Sequence, residues 1–391
     1  MKIALCAPTD IHALARSLGQ ATEGTARGLG STVTTPLILE LLRRGNQVTV
    51  YTLSIGDAKD EFYQWKNLRI FVGPFRPQHV ARNYFRPEIA YLKRVIQADA
   101  PPFVHAHWTY EFSLGALRSH VPTLTTVHDL PWYVLRYYRD PHRMVRLLMA
   151  YEVALRGRYF TAVSQYAAEH FRRFFKPGAK IVVIPNGLPS AVFDVANRRP
   201  EKERSGITFA TILQGWSRLK NAAAVLPAFF NVRREIPSAR LLMFGLDYQE
   251  GGAAQHWAAG RDLADGVSFV GPLPHFDLLT RVREEVDVIV HPSLNESFGM
   301  VALEAMALSK PIIAASTACG VSEVLGRGDC GGVLVDMRDP KAIAETMVRL
   351  ARDVEYRNRL RNCGYERAAS NYRMDTVTTQ YEALYKRLCA A

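Results

Sequence analysis

Short runs of β-branched and other apolar residues recur along the chain, each separated from the next by a stretch with helical spacing. Runs that are apolar throughout are typical of parallel strands covered by helices on both faces. The pattern therefore predicts two series of strands. The first comprises residues 2–6, 48–53, 68–72, 103–106, 123–127, 159–163 and 181–184, and the second comprises residues 207–213, 240–244, 267–270, 286–290, 311–315 and 332–335.

Two such series in 391 residues predict an α/β protein with two doubly wound, Rossmann-like domains. Residues 186–206, with a charged cluster at 198–204, are interpreted as an exposed linker. The predicted domains are residues 1–190 and 191–372, and residues 373–391 are predicted to form a helix that packs back towards the first domain. Because doubly wound sheets bind ligands at the carboxyl ends of their strands, we expect the ligand site in a cleft between the domains.

Charge is distributed unevenly between the two halves. Residues 1–190 contain 24 Lys and Arg against 13 Asp and Glu, whereas residues 191–391 contain 25 against 24. The first half thus has a net charge of +11 and the second of +1. This asymmetry suggests an anionic partner for the first half, and a generally basic surface is the alternative.

Two further features bear on the cellular location. No uncharged apolar stretch approaches the roughly 18–20 residues of a membrane-spanning helix, and the apolar start ends at Pro8 and Asp10, too early for a signal peptide. The five cysteines are odd in number and have no Cys-x-x-Cys spacing, so they indicate neither a disulfide framework nor a zinc site. We expect a reducing, cytoplasmic location.

The strongest chemical signal follows a predicted strand and the turn His291-Pro292-Ser293. It is the segment Glu296-Ser297-Phe298-Gly299-Met300-Val301-Ala302-Leu303-Glu304. Ser297 is predicted to cap a helix that begins near Phe298, and Gly299 lets a ligand approach the backbone closely. The free amides at that helix start suit a diphosphate, and Glu304 can accept hydrogen bonds from hydroxyl groups. Glutamates that face solvent on an amphipathic helix are the alternative, although a carboxylate on so apolar a helix is costly without partners.

At these residues the chain resembles the family 4 retaining glycosyltransferases, which have the GT-B fold. The Glu-x7-Glu segment and the following Lys310-Pro311-Ile312-Ile313-Ala314 carry the resemblance, and shorter matches extend it over most of the chain. These are His105-Ala106-His107, Thr126-Val127-His128-Asp129, Ala162-Val163-Ser164, Ile184-Pro185-Asn186-Gly187 and Phe269-Val270-Gly271. The resemblance implies transfer of a sugar from a nucleotide diphosphate-sugar with retention at the anomeric carbon, usually without a metal ion or other cofactor.

A second signal is the segment Gly215-Trp216-Ser217-Arg218-Leu219-Lys220-Asn221, which follows a predicted strand. Two cations at a strand end can neutralise the charge that builds up on a departing diphosphate. The family usually has Gly-Arg-Leu followed by a Lys-Gly pair. Lys220 matches that pattern, whereas Trp216 replaces the first arginine and Arg218 is displaced. A solvated surface role is the alternative for Arg218.

Three histidines and a glycine complete the candidate site in the first half. His128 follows a predicted strand, and the resemblance implies that it contacts the donor sugar; a structural histidine is the alternative. His105 and His107 are interpreted as pointing to opposite faces, so a metal pair is not expected; His105 is taken as structural and His107 as acceptor-side. In the family a glycine-rich loop near the amino terminus lies close to the donor phosphate, which makes Gly30 a candidate. The lead-in at residues 9–27 is interpreted as an acceptor loop.

Residues 136–180 contain ten basic residues against three acidic ones, interleaved with apolar side chains. A surface of this kind can rest on an anionic membrane leaflet. Helices whose arginines simply face water are the alternative. Nucleic acid is not an expected partner, because no nucleic-acid-binding motif accompanies the basic residues.

The resemblance, together with these residues, implies a retaining hexosyltransferase. The donor is a UDP-sugar or GDP-mannose and the acceptor a glycan or lipid-linked sugar in cell-surface polysaccharide or glycolipid synthesis. The catalytic candidates are His128, Arg218, Lys220 and Glu296, and the substrate-binding candidates are Gly30, Ser297, Phe298, Gly299, Met300 and Glu304. The enzyme is expected in the cytoplasm, peripheral on the inner face of the membrane. The alternatives are a nucleotide-sugar epimerase or phosphorylase on the same fold, or a non-catalytic nucleotide-sugar-binding protein.

Overall fold

A computed structural model describes residues 1–56, 60–196, 206–326 and 330–389 of the chain. The chain divides into two compact units. The first consists of Met1–Gly187 together with Met374–Ala391, and the second is Leu188–Arg373. The predicted exposed linker at 186–206 is wrong at Ser190–Ala196, which forms a helix with Val192 and Phe193 buried, and its charged cluster at 198–204 lies outside the described residues.

The strands form two sheets, one in each unit. They are β1 Lys2–Cys6, β2 Gln47–Ser54, β3 Glu61–Trp65, β4 Leu68–Pro74, β5 Val104–His107, β6 Thr123–Val127, β7 Tyr159–Ala162, β8 Ile181–Val183, β9 Thr208–Ile212, β10 Arg240–Phe244, β11 Val267–Gly271, β12 Val288–His291, β13 Ile312–Ala315 and β14 Gly332–Val335. The first sheet has the order β3-β4-β2-β1-β5-β6-β7-β8 and the second the order β11-β10-β9-β12-β13-β14.

Helices connect the strands and cover the sheets. They are α1 Ile11–Ser17, α2 Thr34–Arg43, α3 Arg86–Asp99, α4 Glu111–Arg118, α5 Pro131–Tyr138, α6 Pro141–Arg156, α7 Gln165–Phe174, α8 Ser190–Ala196, α9 Val225–Glu235, α10 Ala253–Ala259, α11 His275–Glu285, α12 Met300–Ala307, α13 Cys319–Leu325, α14 Pro340–Arg352, α15 Val354–Asn371 and α16 Met374–Cys389. Several begin at the acidic or hydroxyl cap that their sequence provides. Asp140, for example, accepts a hydrogen bond from the amide of Arg143 at the start of α6.

The predicted α/β class with two parallel-sheet domains is confirmed. Every strand that the apolar runs predicted is present, within one or two residues at each end. The runs succeed because both faces of these strands are buried: the side chains of β6 and β12, for instance, are buried along their whole length. The strand β3, which the sequence analysis missed, pairs antiparallel with β4 at the edge of the first sheet and is only partly buried.

Helix α16 belongs to the first unit although it follows the second unit in the sequence. Tyr381, Leu384 and Tyr385 of this helix lie in the core that β1, β2 and α2 also form. Arg44, directly after α2, pairs with Glu382 of α16 at 2.9 Å. The first unit is therefore completed by the last helix of the chain.

Cys330 and Cys363 form a disulfide bond, which corrects the expectation that the cysteines indicate none. The two residues are 33 positions apart, so no local spacing signals the pair. The bond is possible because the start of β14 lies against α15, where a Cβ on Gly364 would lie only 2.7 Å from the Cα of Gly331. Five cysteines allow at most two pairs, and here one pair forms while Cys6, Cys319 and Cys389 are free.

Within the described residues, no helix is both long and apolar enough to cross a membrane.

We expect the disulfide to stabilise the second unit by roughly 2–4 kcal/mol, because it restricts the unfolded chain. Calorimetry should therefore give a lower melting temperature in the presence of a reductant. The double variant Cys330→Ser/Cys363→Ser should melt like the reduced protein and should not respond to reductant. Equal melting temperatures for the oxidised protein and the double variant would contradict the expected contribution.

Candidate active site

The order of strands in the second sheet places the carboxyl ends of β9 and β12 side by side. From β9 the chain builds outward to β10 and β11, and it then returns to β12 on the other side of β9. Connections from such a topological switch point run in opposite directions and leave a crevice at the carboxyl edge of the sheet. The segments after both strands meet there, since the amide of Leu294 donates a hydrogen bond to the carbonyl of Leu219 at 2.9 Å.

This meeting brings Lys220 and Glu296 together. The Nζ of Lys220 lies 2.8 Å from Oε1 of Glu296, and Nε2 of His291, at the end of β12, lies 3.3 Å from the same oxygen. Both partners of the ion pair are about one-fifth exposed, so a ligand can reach them. The sequence predicted Lys220 and Glu296 as site residues, and the structure places them in contact.

The surroundings of Glu296 hold its carboxyl group in the charged form. Burial alone would raise its pKa, but the charge of Lys220 and the hydrogen bond and charge of His291 outweigh burial, so that the pKa lies well below its usual range. A carboxylate that is ionised at neutral pH accepts hydrogen bonds but donates none. Glu296 is therefore suited to hold hydroxyl groups rather than to deliver a proton.

Two glycines fix the backbone around Glu296. Gly299 has φ +97°, a conformation that favours glycine, and it immediately precedes α12. Gly320, in the first turn of α13, donates its amide hydrogen to the carbonyl of Glu296 at 3.2 Å. A Cβ at position 320 would lie 2.5 Å from that carbonyl oxygen and 2.4 Å from the carbonyl carbon of Ser297. Only glycine at position 320 permits this close packing.

The helix after Glu296 begins later than predicted. The structure has Gly299 at the cap position of α12, without a capping side chain, and Met300 as the first helical residue. The predicted cap at Ser297 is therefore wrong. Phe298 is buried and its ring lies edge-on to Tyr372 at 6.0 Å, which leaves its backbone beside the amino end of α12.

Glu304 is buried at 6% exposure on α12, which excludes the alternative of a solvent-facing glutamate. Its Oε1 lies 2.8 Å from Nε2 of His275, the first residue of α11. This hydrogen bond, with the charge of the carboxylate, outweighs burial and raises the pKa of His275. The side chain of His275 is 43% exposed, so the Glu304–His275 pair reaches the surface of the second unit.

Arg218 is not part of this cluster. Its side chain is exposed and pairs with no carboxylate in the described residues. The segment that carries it is nevertheless held in place, because the amide of Trp216 donates to Oδ2 of Asp247 at 3.0 Å and the side chain of Asn221 donates to the carbonyl of Met337 at 2.7 Å. Arg218 thus remains a free cation on a fixed loop, three residues after a glycine with φ +80°.

In the first unit, His128 is buried at the carboxyl end of β6. A ring nitrogen of His107 lies 2.9 Å from Nε2 of His128, and the indole of Trp108 stacks on His128 with ring centroids 4.3 Å apart. Burial lowers the pKa of His128 to about 3, so the imidazole is neutral at physiological pH. A neutral imidazole can both donate and accept a hydrogen bond.

His105 and His107 lie on the same face of β5, which corrects the interpretation that they point to opposite faces. Their ring centroids are 4.1 Å apart. Residues two positions apart on a strand share a face, and it is consecutive residues that alternate. His105 is hydrogen-bonded to the hydroxyl groups of Tyr385 and Thr126, both at 2.6 Å. Among the described residues, no three His, Cys, Asp or Glu side chains form a group that could hold a metal ion.

Gly30 lies at the surface of the first unit with φ +72°, and its amide donates to the carbonyl of Thr9 at 3.2 Å. Gly28 packs more closely against this backbone than Gly30 does, because a Cβ at position 28 would lie 2.1 Å from the carbonyl oxygen of Thr9. The lead-in at residues 9–27 contains α1, and the amide of Ala26 donates to the hydroxyl of Tyr63. The loop is thus anchored to β3.

Three site residues were not predicted: His275, His291 and Gly320. In the sequence analysis, His291 is interpreted only as part of a turn. Its position at the end of a buried strand, five residues before Glu296, could have indicated a site residue. His275 and Gly320 are far from Glu304 and Glu296 in the sequence, so only the folded sheet brings these pairs together.

Two family models match the chain in succession. Residues 30–191 match the model described as Glycosyltransferase Family 4, and residues 196–367 match the model described as Glycosyl transferases group 1. The chain belongs to the glycosyltransferases that combine these two domains. The predicted resemblance to family 4 is confirmed, and the protein is a glycosyltransferase with a nucleotide-sugar donor.

Curated relatives of this glycosyltransferase are spread over several activities. It is 28% identical to the glycogen synthase of Mycobacterium tuberculosis over 299 residues, which cover 73% of this chain and 68% of that protein. It is 25% identical to the D-inositol 3-phosphate glycosyltransferase of Corynebacterium efficiens over 384 residues, which cover 90% of this chain and 88% of that protein.

Solved structures share the GT-B fold of this glycosyltransferase. A sucrose-phosphate synthase from Thermosynechococcus elongatus has a TM-score of 0.76 at 20% identity, with 100% of this chain and 99% of that chain covered. Anabaena HepE in complex with UDP-glucose has a TM-score of 0.68 at 16% identity, with 99% and 100% covered.

Replacement of Gly320 by alanine should disturb Glu296 through its backbone carbonyl. The added methyl group forces the backbone of residues 296–297 to move, at a cost of about 1–3 kcal/mol. We expect sugar transfer to fall at least about tenfold. Gly260→Ala is the matched control in the same unit, because its nearest contact would be an ordinary 3.5 Å and its φ is negative. Equal activity of both variants would show that the packing of Gly320 does not position Glu296.

Proposed function

We propose that the protein is a retaining hexosyltransferase that moves a sugar from a UDP-sugar or GDP-mannose to a glycan or lipid-linked acceptor. The reaction would serve cell-surface polysaccharide or glycolipid synthesis. The observation that carries the proposal is the ionised Glu296, held between Lys220 and His291 at the switch point of the second sheet. The second unit binds the donor and the first unit supplies the acceptor surface; the predicted cleft stays a prediction.

Each part of the donor has a matching group in the second unit. Glu304, buried and oriented by His275, holds the ribose hydroxyls. The backbone of Phe298, Gly299 and Met300 at the start of α12 faces the diphosphate, since the amino end of a helix attracts anions. Lys220 and the free cation Arg218 add positive charge on the same side.

The sugar is positioned by Glu296 and His128. An ionised Glu296 accepts hydrogen bonds from sugar hydroxyls, and the neutral His128 donates or accepts one without adding charge. Neutrality matters because the sugar becomes positively charged in the transition state and an imidazolium would oppose that charge. Ser297 and Gly30 are proposed to line the donor and acceptor sides, respectively.

The chemical step breaks the bond between the anomeric carbon and the diphosphate oxygen. The departing nucleoside diphosphate takes the electron pair, and Lys220 and Arg218 stabilise its growing negative charge. The acceptor hydroxyl forms the new bond on the face that the diphosphate leaves, and its proton goes to the leaving group. The configuration is thus retained, with positioning and charge stabilisation as the contribution of the protein. No metal ion is invoked.

Other observations support the choice of donor. Anabaena HepE, which shares the fold, is bound to UDP-glucose in its solved structure. We therefore propose a UDP-sugar ahead of GDP-mannose. An epimerase or a phosphorylase on the same fold would differ in its reactants, because an epimerase forms product without an acceptor and a phosphorylase needs phosphate. A non-catalytic binding protein would bind the donor without turning it over.

We place the enzyme in the cytoplasm, on the inner face of the membrane. The support is the charge of the first half of the chain, where residues 1–190 have a net charge of +11. Anionic lipids attract basic surfaces by about 1 kcal/mol per Lys or Arg near the bilayer.

Two substitutions separate donor binding from catalysis. Glu304→Ala removes a charge-assisted acceptor and should raise the Kd for the nucleotide by about tenfold or more. Lys220→Ala should lower kcat by about 100-fold at saturating donor, because it removes charge stabilisation of the leaving group. Titration calorimetry and initial rates measure the two effects.

The controls are Glu345→Ala and Lys341→Ala, which change the same residue types on the exposed face of α14 in the second unit. Both should behave like the unchanged protein. If Glu304→Ala and Lys220→Ala also kept full affinity and rate, the assignment of the site would be wrong.

Membrane binding of electrostatic origin should depend on salt. In flotation with vesicles that contain phosphatidylglycerol, we expect the protein to float at low ionic strength. The floated fraction should fall as salt rises, since at 0.1 M salt the attraction between exposed charges is largely screened beyond about 10 Å. Vesicles of phosphatidylcholine alone are the control, and flotation that ignores salt would speak against a charge-driven contact.

A further inference from the structure

Helices α5, α6 and α7 of the first unit enclose an open groove of about 830 Å³. Its lining is mostly apolar, with Trp132, Tyr133 and Leu135 from α5, Met144 from α6 and Phe174 from α7. The walls are fixed by specific contacts: the indole of Trp132 donates to the hydroxyl of Tyr151 at 3.1 Å, and the rings of Trp132 and Phe174 lie 6.2 Å apart. The groove is therefore a formed feature with rigid aromatic sides.

The groove continues into an exposed apolar stripe. Met144, Leu148 and Leu155 of α6 are 47%, 51% and 82% exposed, and their spacing of four and seven residues places them on one face of the helix. Trp132 is 38% exposed at the groove itself. Large apolar side chains exposed together, next to a concave site, are typical of a binding surface for an apolar ligand or partner.

Two cations stand at the rim of the groove without an acidic partner. The side chains of Arg136 and Arg139 are exposed, and in the described part of the chain neither pairs with a carboxylate. The one carboxylate in the lining, Asp140, is already compensated, since it caps α6 and lies 3.2 Å from Arg143. The rim therefore keeps a net positive charge beside an apolar floor.

The position of α5 connects the groove with the proposed active site. Trp132 follows His128 by four residues, and four residues span at most about 14 Å. One end of the groove therefore lies close to the carboxyl edge of the first sheet, where the acceptor is proposed to bind.

We propose that this groove holds the apolar chain of a lipid phosphate that carries the acceptor, with Arg136 and Arg139 facing the phosphate. The inference rests on the proposed function, because it names the class of acceptor among the glycan and lipid-linked alternatives. The argument is one of complementarity: an apolar chain matches the aromatic floor, an anion matches the two uncompensated guanidinium groups, and the sugar would project towards His128. The alternative is that Arg136 and Arg139 only interact favourably with the negative carboxyl end of the α5 dipole. That alternative does not explain the apolar groove beside them.

The test uses alkyl phosphates below their micellar concentrations as probes, with calorimetry for affinity and the emission of Trp132 for location. Affinity should rise along the series from octyl to decyl to dodecyl phosphate by up to about fourfold for each added methylene. Dodecanol and inorganic phosphate should each bind more weakly than dodecyl phosphate. The emission should shift to shorter wavelength on binding, and this shift should be lost in Trp132→Phe.

Matched variants assign the binding to the groove. Met144→Glu should weaken dodecyl phosphate at least tenfold, and Met144→Ala should weaken it by a smaller factor in case the charged variant folds poorly. Leu155→Glu, on the same stripe but outside the groove, should change the affinity less than twofold. Arg136→Gln/Arg139→Gln should weaken dodecyl phosphate several-fold and leave dodecanol unchanged, and Arg158→Gln, an exposed arginine outside the groove, should have no effect.

Several results would overturn the proposal. Equal losses for Met144→Glu and Leu155→Glu would indicate adsorption along the whole helix instead of a site. Binding of inorganic phosphate as tight as that of dodecyl phosphate would leave only an anion site. Equal affinities for octyl, decyl and dodecyl phosphate would exclude a site for an apolar lipid chain. Each of these results is independent of donor binding at Glu304, so failure of the groove and failure of the proposed transferase activity are distinguishable.

Discussion

A carboxylate that is largely shielded from water needs compensating charge, and in the second unit this requirement joins two loops that leave adjacent strands. Glu296 follows β12 and Lys220 follows β9, so their 2.8 Å contact links the two loops at the topological switch point of the sheet. Gly320 supports the arrangement from α13 through the carbonyl of Glu296. The same interactions with Lys220 and His291 that offset the burial of Glu296 also keep its carboxylate ionised, so that it can accept hydrogen bonds. Stability and the proposed donor contact therefore depend on the same pair.

The first unit differs, because its buried histidines His105, His107 and His128 bond to hydroxyl groups or to one another. Rings stack in sequence from Tyr381 through His105 and His107 to His128 and Trp108, with neighbouring centroids 4.1–5.2 Å apart. Burial lowers the pKa of each histidine in the column, which keeps it neutral. This column of histidines is thus uncharged, whereas the Lys220–Glu296 pair at the carboxyl edge of the second sheet carries charge.

Much of this arrangement could be predicted from the sequence, and the failures have identifiable physical causes. Apolar runs located the parallel strands, including the partly buried edge strands β8, β11 and β14, and they missed β3 because the polar residues Glu61 and Gln64 interrupt its apolar pattern. Lys220, Glu296 and Glu304 were predictable, because a charged residue at a strand end or within an apolar helix is costly unless it has a partner or a ligand. The pairs Cys330–Cys363, Glu304–His275 and Glu296–Gly320 were not, because each depends on tertiary proximity. Ser297 failed as a cap because Gly299, with its positive φ, starts the helix later.

The chain enters the second unit at Leu188 and leaves it at Arg373, and the amide of Leu188 donates to the carbonyl of Tyr372 at 2.8 Å. The second unit is thus an insertion whose two ends are stapled side by side, and the last sixteen residues described return to the first unit as α16. During synthesis the sheet of the first unit leaves the ribosome before the second unit, and domains generally fold in the order of their synthesis. His105, however, lacks its Tyr385 partner, which lies 280 residues later in the chain, until α16 has also emerged. The first unit therefore begins to form before the second unit and is completed after it.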